Sequence, residues 1–263
     1  MDTRAIGIFD SGIGGLTVLK ELEEKLPEEN FIYLGDTLNF PYGDKTKEEI
    51  IRFSKKNIEY LINQNVKLVV IACGTATSQS LDIMKEIFDI PIIGIIEPTV
   101  DYVEKLNLEK IGVIATTGTI RSGAWEKNLK QKMPEIEVIN KACPLLASIA
   151  EEGRATSKES LNAIHEYMQI FKENNVDTII LGCTHYPIYD EIIQKEFSNK
   201  VNLINTGVAV AEKLKKYLIE NKKQNKGKKI ETKIVISKEE KDFDEKAKNI
   251  LKSTKKLDIT NFY

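Results

Sequence analysis

The sequence predicts an α/β protein made of two similar halves, each a mainly parallel sheet flanked by helices. Three observations carry this. Short β-branched apolar runs alternate with longer stretches of helical period along the 263 residues. The alternation restarts at KIGVIAT. Two pairs of segments also echo each other: AIGIFDSG with KIGVIATTG, and VKLVVIACGTAT with VDTIILGCTHYP. In parallel sheets ligands bind at the carboxyl ends of strands, so matching ends that face one another would enclose a cleft.

The first strand, AIGIFD, leads through glycines into a helix, GGLTVLKELEEKL. NFIYLGD follows, then KTKEEIIRFSKKNIEYLINQN. From Lys47 to Leu61 of that segment, Ile50, Ile51, Phe53, Ile58 and Leu61 form an apolar stripe among lysines and glutamates, the mark of a helix lying on a sheet. KLVVIAC, ATSQSLDIMKEIF, PIIGIIEP and TVDYVEKLN complete the first series. The second runs KIGVIAT, a helix around AWEKNLKQKM, EIEVINKACP, a helix from Lys158 to Asn174, DTIILGC and VNLINTG. NKKQNKGKK, Asn221 to Lys229, separates a helix ending near Glu220 from a last strand, TKIVIS, and a last helix. Nothing aromatic is interleaved with its lysines, so it reads as a solvated loop rather than a basic binding patch.

A hydrophobic fraction of 41% and a charged fraction of 30% exclude disorder and fibrous repeats. The formal charge of −2 provides no basic field for phosphate backbones, so nucleic acid is not an expected partner. MDTRAIGIFD lacks a leader core and no apolar run approaches a membrane span, so a cytoplasmic protein with no membrane contact is expected. Three cysteines, none in a CxxC pair, and two histidines support neither a disulfide framework nor a zinc site. No metal and no cofactor is expected, and the thiols read as free.

The loop FDSGIGGLTVLK resembles a phosphate cradle, with Gly12, Gly14 and Gly15 ahead of a helix N-terminus, but Thr17 stands at the third glycine position of the dinucleotide fingerprint. Asp36, closing the second strand, keeps a ribose-binding reading open; a carboxylate ligand suits the loop equally well. Asp10 is either a helix N-cap or a catalytic acid. Cys73 and Cys183 each end an apolar strand and precede a threonine, where backbone N–H groups should lower a thiol pKa from about 8.5 toward neutrality. The alternative for each is a small buried apolar residue. Cys143, in KACPLL, has no such context and reads as buried and apolar. His185 faces the same cleft as Cys183 if the strand has ended there, and could share a proton with the thiol; otherwise it is structural, beside Pro187. His165 receives no role. Two thiols across one substrate can invert a stereocentre, one removing a proton as thiolate and the other delivering one as thiol. A single nucleophilic cysteine would suit acyl transfer but leave Cys73 without work.

IGIFDSGIGGLTVLKEL, YLGDTLNFPYG, VIACGTATS, GVIATTGTIRSG and LGCTHYP, in this order, resemble the cofactor-independent glutamate racemases of the aspartate/glutamate racemase superfamily. The resemblance implies two pseudo-symmetric α/β domains, residues 1–98 plus 208–263 and residues 99–207, with the active site between them. It implies interconversion of L- and D-glutamate for peptidoglycan, with glutamate as the small-molecule partner and a homodimer as the assembly. An aspartate or other acidic amino-acid racemase of the same superfamily and a non-catalytic nucleotide- or carboxylate-binding module are the alternatives. By the same resemblance Cys73 acts on the D-enantiomer, assisted by Asp10, and Cys183 on the L-enantiomer, assisted by His185. Glu151 rather than Glu152 matches a further functional acid. Ser11, Tyr42, Gly43, Thr75, Thr117, Thr119 and Thr184 match positions that hold substrate, together with Asp10 and His185. Gly74 matches a substrate-binding position where the family usually has asparagine, so only backbone can contribute there. Asn205-Thr206-Gly207 replaces an acidic-serine-glycine turn and reads as a structural variant.

Overall fold

The computed structural model describes residues 2–227, 232–253 and 258–261. In chain order the elements are β1 (Ile6–Asp10), α1 (Leu16–Lys25), β2 (Phe31–Gly35), α2 (Lys47–Asn63), β3 (Leu68–Ile71), α3 (Gly74–Ile87), β4 (Ile92–Gly94) and α4 (Ile96–Glu104). Then come β5 (Lys110–Ala115), α5 (Thr117–Arg121), α6 (Ala124–Lys132), β6 (Glu137–Ala142), α7 (Pro144–Glu151), α8 (Lys158–Glu173), β7 (Thr178–Leu181), α9 (Asp190–Glu196), β8 (Asn202–Asn205) and α10 (Thr206–Glu220). β9 (Thr232–Ile236), α11 (Phe243–Leu251) and β10 (Asp258–Asn261) close the described chain.

Two sheets form, ordered β10-β9-β2-β1-β3-β4 and β6-β5-β7-β8. Every pairing between described strands is parallel. The second sheet repeats the β2-β1-β3-β4 part of the first with each strand number raised by four, so β3 and β7, which precede Cys73 and Cys183, occupy equivalent positions. Central strands are buried on both faces and read as unbroken apolar runs. Their alternate residues feed different cores: Ile6, Ile8, Leu68 and Val70 join one cluster with α1 and α10, whereas Phe9, Val69 and Ile71 join another under α2 and α3. Ile111, Val113 and Ile180 of the second sheet belong to the first of these clusters, so the two halves share apolar core.

α2 starts where the sequence places it because Thr46 and Glu49 form a capping box. α10 is capped by Asn205, whose Oδ1 accepts the Gly207 N–H at 2.9 Å. β10 extends the sheet beyond TKIVIS; its segment, DITN, is too short and polar to have been read as a strand. Residues 221–227 run as turn and irregular chain, and the remainder of the expected loop, Lys228 and Lys229, lies outside the described residues. Lys67 is buried below the first sheet, donating to the Glu29 carboxylate and to the carbonyls of Asp2 and Lys223. Among the described residues no helix is long and apolar enough to cross a membrane.

Candidate active site

The carboxyl ends of β1 and β3 meet those of β5 and β7 around one small cavity. It is lined by Ser11, Tyr42, Gly43, Cys73, Gly74, Thr75, Thr117, Cys183, Thr184 and His185, with Phe40, Thr116, Pro144 and Ser148 among the others. Both thiols are nearly sealed, Cys73 at 5% exposure and Cys183 at 6%.

Cys73 is the N-cap of α3, and its Sγ accepts from the Ala76 N–H at 3.5 Å and donates to Ser11 Oγ at 3.7 Å. The helix terminus does not lower its pKa as expected from sequence. Burial, reinforced by the nearby Asp10 charge, outweighs the Ala76 and Ser11 hydrogen bonds and pushes the thiol up to about 12. Cys73 therefore rests protonated.

The wall around Cys183 is different. His185 Nδ1 lies 3.7 Å from Cys183 Sγ, and its Nε2 lies 2.5 Å from Glu151 Oε2. Burial disfavours charge on this imidazole, yet the hydrogen bonds to Cys183 and Glu151 together hold its pKa well above the usual histidine range. Glu151 is buried at the end of α7 and also accepts the Ile13 N–H at 3.0 Å, whereas Glu152 points outward and pairs with Arg154. Lys246 of α11 donates to the Glu151 carbonyl at 2.8 Å.

Asp10 does not cap α1, whose N-cap is Gly15 with no side-chain bond. It is fully buried, accepts the Gly12 N–H and the Thr184 hydroxyl at 3.1 Å each, and burial pushes its carboxyl up to about 6 against the opposing His185 charge. It is hydrogen-bonded toward the Cys183 side and reaches Cys73 through charge alone. The glycine loop is no open phosphate cradle: Gly12 and Gly14 back directly onto Glu151 and His185. Asp36 is equally unavailable to a ribose. Its carboxylate accepts from Asn39, Tyr42, Asn57 and Ser237. Tyr42 thus spends its hydroxyl on Asp36 at 2.6 Å and offers the cavity its ring rather than a hydrogen bond.

Thr75 faces Thr116 and Thr119 across the cleft, the three hydroxyls lying 2.9 to 3.2 Å apart in a closed ring. Thr119 takes part in that ring from behind the lining, Thr117 lines the cavity itself, and Gly43 packs on Thr116. Sequence reasoning missed Thr116. The echo of AIGIFDS in KIGVIAT aligns it with Ser11 and could have found it. Cys143 is buried and burial raises its pKa; His165 pairs with Glu196 on the surface. Among the described residues no group of three or more histidine, cysteine or carboxylate side chains is arranged to hold a metal ion.

Two parallel sheets that each present one nearly buried thiol to a shared small cavity define an α/β protein with its candidate site between the sheets. A family model described as Asp/Glu/Hydantoin racemase matches residues 6–214. The chain belongs to that family. A glutamate racemase of Sulfurihydrogenibium is 41% identical over 261 residues, 97% of this chain and 98% of its own. One from Bacillus cereus is 41% identical over 225 residues, 85% of this chain and 84% of its own. The solved glutamate racemase of Francisella tularensis, crystallised with D-glutamate, has a TM-score of 0.90 at 37% identity, covering 99% of this chain and 97% of that one. The aspartate racemase of Picrophilus torridus shares the fold alone, with a TM-score of 0.61 at 18% identity over 81% of this chain and 94% of that one.

Proposed function

We propose that the protein interconverts L- and D-glutamate by proton transfer between two thiols, supplying D-glutamate for peptidoglycan. The observation that carries the two-thiol reading is the equivalence of Cys73 and Cys183, each two residues past an equivalent central strand and both lining one cavity. Glutamate as substrate rests on the curated relatives, which carry that activity in their names at 41% identity over most of the chain.

In the L-to-D direction Cys183, sharing its proton with His185, removes the α-proton as thiolate, and Cys73 delivers its own proton to the opposite face. The reverse reaction exchanges the roles. Each passage moves one proton onto one sulfur and one off the other, so the enzyme resets by proton exchange or by a return passage. The α-proton of an amino acid is weakly acidic because the developing charge adds to that of a carboxylate. Ser11, Thr75, Thr117 and Thr184 line the cavity, and in this reading their hydroxyl and N–H dipoles turn to the bound substrate and stabilise that charge. Hydrogen bonds from such neutral donors to a charged group contribute roughly 1.5–3 kcal/mol each. Glu151 holds His185 in orientation, and Asp10 supplies charge near Cys73.

We assign residues 1–98 with 208–263 and residues 99–207 as the two domains, a cytoplasmic location, and a homodimer to be tested by light scattering. The deciding assay follows D-glutamate formation from L-glutamate in metal-free buffer, with deuterium incorporation at the α-carbon from heavy water in both directions. Equal turnover of L-aspartate would move the assignment to a broader acidic amino-acid racemase. Absence of α-hydrogen exchange with either substrate would overturn it.

A further inference from the structure

The residue after Cys73 and the residue before Cys183 are both glycines, and they touch. A Cβ on Gly74 would stand 2.3 Å from the carbonyl oxygen of Gly182, about 1 Å inside ordinary contact. The two backbones come from opposite halves, Gly74 opening α3 and Gly182 following β7. Neither can step aside within its own half. Gly182 donates its N–H to the Ile114 carbonyl at 2.8 Å and is backed by Trp125, while Ala72 donates to Phe9 and Thr77 donates to the Cys73 carbonyl, each at 2.8 Å. A side chain at position 74 also cannot rotate away, because Cβ is fixed by the backbone. Moving the halves apart relieves the strain without breaking these bonds.

The same close approach recurs on the far side of the cavity. A Cβ on Gly118 would meet the Gly43 carbonyl at 2.8 Å. Between these two contacts the free space open to the centre of a water-sized sphere is only ≈ 30 Å³, enough for a water or two and far short of an amino dicarboxylate. The cleft is therefore shut, and substrate enters only when the halves separate.

We infer that Gly74 is a positioning residue whose missing side chain sets how closely the two thiol-bearing strand ends shut on each other. Its catalytic consequence rests on the two-thiol reading; its effect on closure does not. Because a misplacement of about 1 Å at reacting groups costs on the order of 100-fold, Gly74→Ala should lower kcat by about that factor.

The test labels the full-length protein with iodoacetamide, without substrate, and maps alkylation at each cysteine by mass spectrometry. With the cleft propped open, Cys73 and Cys183 should react together about tenfold faster than in the wild type. Cys143, fully buried and not itself part of the cavity lining, should stay protected and so reports that the fold is intact. Should Gly74→Ala expose Cys143, Gly118→Ala, with its milder clash on the opposite side, becomes the deciding variant and should show the same paired acceleration. Wild-type labelling rates at both thiols in a variant whose Cys143 is protected, or an unchanged kcat in Gly74→Ala, overturn the inference. Paired acceleration in a protein that racemises neither glutamate nor aspartate would support the closure and remove the functional reading.

Discussion

Replacing Asp10 by asparagine should stabilise the protein while impairing it. The carboxyl is fully buried and its pKa is raised from 3.8 to about 6, chiefly by burial. Each pKa unit corresponds to about 1.4 kcal/mol, so holding Asp10 ionised in the folded protein costs up to about 3 kcal/mol. Since the folded value lies above the unfolded one, the folded state binds this proton more tightly. Stability from this group is full below about pH 4 and is lost as pH rises through about 6. Asparagine keeps the shape and an acceptor for the Gly12 N–H but cannot ionise. Urea unfolding followed by circular dichroism should show Asp10→Asn more stable than the wild type by up to about 3 kcal/mol near pH 8, with the gain vanishing near pH 4. Racemase activity should fall at the same time. A variant no more stable than the wild type near pH 8, or a gain independent of pH, would refute the account of Asp10 as a charge held at a cost for function.

Cys73→Ser and Cys183→Ser should each lower turnover by about 10²–10⁴-fold, measured by D-glutamate formation, and full activity in either would end the two-thiol reading. Glu151→Gln removes one of the two groups that hold the His185 proton, so the alkaline limb of the kcat profile should move to lower pH. A limb that stays in place would separate Glu151 from that task. By linkage, the stabilisation that His185 gains from its partners is full below its unfolded pKa near 6.5 and is lost as pH rises through its raised folded value. The thermal stability gap between wild type and Glu151→Gln should accordingly narrow on the alkaline side. Lys67→Met leaves Glu29 buried without its cation, which should cost about 3–5 kcal/mol and lower Tm by roughly 10 °C with kcat intact; calorimetry showing no drop would contradict the pairing.

The strands and helices that frame the site were legible because central parallel strands must be apolar on both faces, which leaves runs such as LVVI and TIIL conspicuous between amphipathic helices. β10 was not, since a four-residue edge strand needs no apolar pattern. Pairs close in sequence, such as Cys183 with His185, could be read from the chain. The Asp36 hub could not: its partners Asn57 and Ser237 are brought to it only by packing. The lowered pKa expected of Cys73 failed for a related reason. A helix N-terminus can be recognised in sequence, whereas the degree of burial that overrides it at Cys73 is a property of the closed cleft.

The repeated strand order, β2-β1-β3-β4 and β6-β5-β7-β8, has a kinetic consequence. A chiral chain cannot contain a mirror plane, and a rotation axis between duplicated halves is the nearest device it has for offering like groups to both faces of one carbon. The halves have diverged, Ser11 beside one sulfur and His185 with Glu151 beside the other, yet mirror-image substrates have equal free energies in water. The equilibrium constant is unity, and kcat/KM must be the same in both directions for the wild type and for every variant. All the inequality between the two walls has to appear as compensating differences in kcat and KM, so the binding of each enantiomer records how far the two halves have drifted from one another.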